Sequence, residues 1–106
     1  MFGRRKKQIP VDVGRSPEAA RYLATEIERL IALPLASKVD TEHWYSECGK
    51  VQRVLIKRFP EFEFYHEVWH FFADADIRAR DERYRDRQHS LMFDYVALLR
   101  DEASNT

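Results

Sequence analysis

The chain has one cysteine, three glycines and four prolines in 106 residues, and it carries no net charge. Each shortage removes a class of protein. A lone Cys48 cannot close an internal disulfide, so the fold rests on its own core and suits a reducing compartment. Scarce glycine and proline leave too few turn signals for many short strands, and a few long elements are expected instead. The 18 basic and 18 acidic residues cancel, so no global field draws the protein to nucleic acid or a membrane surface. No stretch approaches the roughly 20 apolar residues of a membrane-spanning helix. The opening M-F-G-R-R-K-K has no apolar run behind its basic cluster, as a signal peptide would. The expected location is the cytoplasm. Gly3, Gly14 and Gly49 stand isolated, which leaves no glycine-rich phosphate loop and no G-x-S-x-G elbow.

What is present is a hydrophobic share of 44%, with seven Phe, five Tyr and two Trp, arranged at helical spacing. Residues 1–15 read as a flexible basic arm, 16–103 as a single helical domain and 104–106 as a frayed tail. Ser16-Pro17-Glu18 is a helix start: a capping hydroxyl, a proline suited to the first position, and an acid for the dipole. Ala20, Leu23, Ile27, Leu30 and Ile31 then keep one face until Pro34, predicting a helix over 17–32. Asp40 is the expected cap of a second helix over 41–59, whose stripe is Trp44, Cys48, Val51, Leu55 and Phe59. Gly49 interrupts that stripe at about 1 kcal/mol relative to Ala and suggests a close helix crossing. A third helix is predicted over 61–75, apolar around half its circumference. Asp76 would fall in that apolar arc, so either the helix breaks near Ala75 or Asp76 pairs with Arg80. A fourth is predicted over 77–102, with Ile77, Tyr84, Leu91, Tyr95, Leu98 and Leu99 on one side and Arg78 among the charges opposite. The expected fold is an all-α bundle of about four helices behind a basic arm.

The third helix contains His66-Glu67-Val68-Trp69-His70, which fits H-E-x-x-H. Histidines at i and i+4 can face one zinc ion while the glutamate activates water. This supports one alternative function, a zinc-dependent hydrolase with His66 and His70 as ligands and Glu67 as base. A third ligand would have to be Glu82 or His89, which no motif marks, and there is no sheet to hold a substrate strand. The pair lies at the border of the apolar arc, beside a polar face expected to contain Glu63, Glu67, Asp74 and Arg78. There carboxylates and imidazoles pair weakly in water. Glu63-x-x-His66, Glu67-x-x-His70 and Asp86-x-x-His89 also resemble the E-x-x-H elements of di-iron bundles, but helices 1 and 2 offer no inward carboxylate. No bound metal or other cofactor is therefore the leading expectation, with zinc as the alternative.

Arg4, Arg5, Lys6 and Lys7 could neutralise phosphates, which gives a second alternative, a nucleic-acid-binding accessory protein. The arginines at 78–87 alternate with acids and read as an ion-paired face, and no nucleic-acid motif is present. Aromatic residues exceed what one small core needs. Trp44 and Tyr45 are adjacent and cannot both point at one centre, and Phe93 falls opposite the main stripe near His89. Aromatics flanked by arginine are the residues that dominate interfaces. The sequence therefore predicts a non-enzymatic protein–protein interaction module: an adaptor, regulator or inhibitor. Its expected contacts are Trp44, Tyr45, Arg85, His89 and Phe93, and its simplest partner is itself as a homodimer.

Overall fold

The computed structural model describes residues 16–104. The basic arm, with Arg4, Arg5, Lys6 and Lys7, and the last two residues of the expected tail lie outside the described residues. The chain folds as α1 (Pro17–Ala32), α2 (Lys38–Arg58), α3 (Glu67–Ala73), α4 (Ala75–Arg80) and α5 (Glu82–Ser104). There is no strand among the described residues. The all-α expectation holds, with five helices where about four were expected.

α1 has the limits that its punctuation dictates. The Ser16 hydroxyl accepts a 3.4 Å hydrogen bond from the Ala19 N–H, Pro17 occupies the first turn, and Leu23, Ile27 and Leu30 are fully buried. Burying each such side chain is worth about 1.5–3 kcal/mol. α2 starts earlier than expected. Ser37, not Asp40, is the cap: its hydroxyl accepts from the Asp40 N–H at 3.1 Å. Asp40 instead reaches back to the Ala36 N–H at 2.9 Å, so the two side chains satisfy backbone donors reciprocally. Gly49 permits no close crossing, because an added Cβ would meet only the Arg53 Nη1, at 3.5 Å.

The predicted third helix divides. Residues 59–66 form a non-helical connection after Pro60, in which Phe62 is buried between exposed Glu61 and Glu63. That alternation has the period of an extended chain, not of a helix. Helix resumes only at Glu67. It breaks again at Asp74 (φ −109°, ψ 23°) and at Asp81, which is extended. The Asp81 carboxylate then accepts from the Tyr84 N–H at 3.0 Å and caps α5. Asp76 accepts a 2.9 Å hydrogen bond from the Tyr45 hydroxyl, which, with the charge of Arg80 in a lesser part, holds its carboxyl pKa below the usual value. Ser104, expected in the frayed tail, closes α5.

α1 packs most extensively on α5, bringing Leu23, Ile27 and Leu30 into one core with Met92, Tyr95 and Leu99. The ion pairs Glu18–Arg58 and Arg29–Glu47 tie opposite ends of α1 and α2 together, so these two helices run antiparallel. The Tyr65 and Tyr95 rings meet at a tilt, 5.4 Å apart, and the Tyr65 N–H donates to the Tyr95 hydroxyl at 3.0 Å. This fastens the 59–66 connection to α5.

Candidate functional site

His66 sits one residue before α3 with helical dihedrals (φ −51°, ψ −37°). Its carbonyl accepts from the Trp69 N–H at 3.0 Å. The i, i+4 spacing of His66 and His70 therefore survives the late helix start. Their rings lie 5.0 Å apart, edge to face. One ligand atom each of His66, Glu67 and His70 falls within 4.8 Å of the others, with both histidines exposed and Glu67 half-buried. Glu82 and His89 do not join this group, and neither do Glu63 and Asp86. Among the described residues the potential metal ligands gathered here are thus two imidazoles and the Glu67 carboxylate, and no further His, Cys, Asp or Glu joins them.

Arg78 departs most from its expected place. It is 1% exposed, not part of the polar face beside the histidines. Its guanidinium lies over both the Trp44 ring, at 4.6 Å, and the Phe71 ring, at 4.4 Å. Nη1 donates to the Phe71 carbonyl at 2.8 Å and to the Gln88 side chain. Nε and Nη2 have no hydrogen-bond partner among the described residues. Burial drives the pKa of Arg78 down to about 10, against the pull of Tyr45 and Asp74. Gln88 and the Tyr84 hydroxyl both donate to Asp74, which places a carboxylate close to the buried cation. The hydrogen bond to Asp74 also holds the Tyr84 phenol in its neutral form, raising its pKa to about 12. This cluster locks α4 against α2, α3 and α5.

The expected contact residues separate. Trp44 is buried, 1% exposed, and its indole N–H donates to the Leu30 carbonyl at 2.8 Å. It is a core residue and offers nothing to a partner, because the α2 stripe turns it inward against Phe71. Tyr45 spans the α3–α4 break through the Ala73 carbonyl and Asp76. Arg85, His89 and Phe93 share one face of α5 by their four-residue spacing. Of these, Phe93 is exposed. Arg85 pairs with Glu82 and Asp86. Burial, with Arg78 and Arg85 nearby, lowers the pKa of His89.

Sequence reasoning missed a second surface. Leu55, Ile56 and Phe59 of the α2 end face Phe62, Phe64 and Trp69 across an apolar cleft of about 210 Å³. Two ridges flank it: Ile56, 68% exposed, and Trp69, 50% exposed. Trp69 leans on Phe64 at 5.1 Å and on Phe72 at 6.1 Å, so the ledge is fixed by ring contacts rather than hanging in solvent. The E-F-E-F alternation after Pro60 was the available signal, because an extended segment there puts Phe62 and Phe64 beside α2 instead of winding them into α3. No family model, curated protein or solved structure matches the chain.

Proposed function

We propose that this protein is a non-enzymatic interaction module that binds through the cleft between the end of α2 and Trp69, and that its first partner is a second copy of itself. The observation that carries this reading is the pairing of ridge and hollow in one patch. Ile56 and Trp69 project beside a cleft large enough for one or two side chains. A two-fold contact brings a patch onto its own copy, so such a patch can fill its own hollow. Phe93 is a single exposed ring, which ordinary surfaces tolerate. Arg85 beside it already has acidic partners.

Only a few apolar side chains project, and association costs at least about 4 kcal/mol of lost freedom. The expected dimer is therefore weak, with a Kd of roughly 1–100 μM. Zinc hydrolysis is not favoured, because Glu67 cannot serve as both third ligand and base, and no other ligand among the described residues joins His66 and His70. The nucleic-acid alternative rests on Arg4 to Lys7, outside the described residues. It gains little from the 78–87 arginines, of which Arg78 is buried and Arg85 ion-paired.

Light scattering across a concentration series tests the proposal with Ile56→Asp, Trp69→Ala and Phe93→Asp. The expected result is that the first two remain monomeric while Phe93→Asp associates like the parent. Loss of association in Phe93→Asp alone would move the interface to the α5 face, and a monomeric parent would overturn the proposal.

A further inference from the structure

We infer that His66 and His70 form a binding site for a borderline divalent cation, zinc being the expected occupant, independently of the dimer surface. Three features support the site. First, the backbone fixes the spacing: His66 has helical dihedrals, and its carbonyl is held by the Trp69 N–H. On the far side of the helix, buried Val68 and Phe71 anchor α3 in the core, so the pair does not depend on a frayed end. Second, the donors are already gathered. With ligand atoms within 4.8 Å, small rotations of two exposed side chains bring the imidazole nitrogens to the separation of about 3.3 Å that bonds of about 2.0–2.1 Å require at a tetrahedral centre. Third, neither imidazole is engaged elsewhere among the described residues. Their rings touch each other, so a cation displaces no hydrogen bond among the described residues.

The donor chemistry selects the ion. Two imidazoles suit zinc, nickel and copper, whereas magnesium and calcium prefer oxygen ligands. Water fills the remaining positions. Glu67 is the positioning residue. At 100° around the helix from His66, its carboxylate accepts a hydrogen bond from a metal-bound water rather than completing the ligand set. The site is shallow and its histidines are exposed, so it binds reversibly, and metal release leaves the core untouched.

Calorimetric titration of the untagged, full-length chain with zinc chloride tests the inference, with nickel and magnesium chlorides as comparisons. The expected outcome is one saturable site per chain for zinc and nickel and none for magnesium. His66→Ala and His70→Ala should each weaken zinc at least tenfold, and Glu67→Gln should weaken it roughly tenfold while keeping the stoichiometry. Circular dichroism should show unchanged helix content in every variant, since all three side chains lie outside the core. Ile56→Asp should bind zinc like the parent, which separates this site from the proposed interface. Absence of saturable zinc binding, or equal binding by the His66→Ala/His70→Ala double variant, overturns the inference.

Discussion

Replacing Arg78 in two ways separates the role of its stem from that of its charge. The side chain packs over Trp44 and Phe71, and its Nη1 satisfies the Phe71 carbonyl and Gln88. Arg78→Ala leaves a void under two rings and strips both acceptors of their donor. Large-to-small changes of this kind, together with an unsatisfied buried carbonyl, cost about 3–5 kcal/mol. Arg78→Met keeps most of the volume and deletes a cation whose Nε and Nη2 are unpartnered. Burial moves its pKa from 12.5 to about 10, a cost to the charged form of roughly 3 kcal/mol. Removing that cost offsets much of the lost hydrogen bonding, as with buried ion pairs replaced by apolar residues. The Met variant should therefore lie within about 1.5 kcal/mol of the parent. For a domain this size the Ala variant should melt some 15–30 °C lower. Urea denaturation is the assay, with midpoints compared at constant slope. Equal destabilisation by Met and Ala would refute the reasoning and show that the charge itself holds α4 in place. An Ala variant within about 1 kcal/mol of the parent would show that the surrounding rings collapse to fill the void.

Gly49→Ala should stabilise the protein by about 0.5–1 kcal/mol, read as a raised urea midpoint, because the helix gains propensity and the new methyl meets only Arg53; a loss would mean that α2 is tighter there than its contacts show. Cys48 is buried, and desolvation raises its thiol pKa to about 12, so the native protein should resist alkylation at pH 8 and react only on unfolding; labelling at the rate of a free thiol would contradict that burial. Lys50 and Arg29 hold Glu47 in its charged form, lowering its pKa from 4.5 to about 2. A depressed carboxyl pKa adds stability that is present above pH 4.5 and is lost as pH falls towards 2. Glu47→Gln should therefore flatten the acid limb of a midpoint-against-pH curve, and an unchanged limb would mean that the α1–α2 ion pair contributes nothing.

The parts of the fold legible in the sequence were those where chemistry and spacing agree. Ser16 and Pro17 at one end and Pro34 beyond the other fixed α1, and its three- and four-residue spacing named its buried face. Ambiguity began where two residues could serve one purpose: Ser37 and Asp40 both suit a cap, and the structure uses both, with Ser37 first. The 59–66 connection was ambiguous because Phe62, Phe64 and Tyr65 fit a helix as well as an extended chain, although Phe62 and Phe64 already alternate with glutamates. Arg78 was illegible for a related reason. Placed in a long helix it belongs with the charges around it. Only the breaks at Asp74 and Asp81 make α4 a short helix whose Ala75 and Arg78 both turn inward. The candidate cleft shared that fate, since Ile56 and Trp69 belong to different helices and line one cleft only because the chain between them is not helical. Phe93, by contrast, was found exposed where its position opposite the α5 stripe put it.

Sedimentation equilibrium of the parent protein from about 1 to 200 μM, spanning the weak-dimer range, reads self-association without a label or a surface. A self-complementary patch gives a mass that rises from the 12.7 kDa chain towards twice that value, with the rise abolished in Ile56→Asp. A mass that stays at the monomer value throughout would contradict the reading of the Ile56–Trp69 patch as a self-complementary interface.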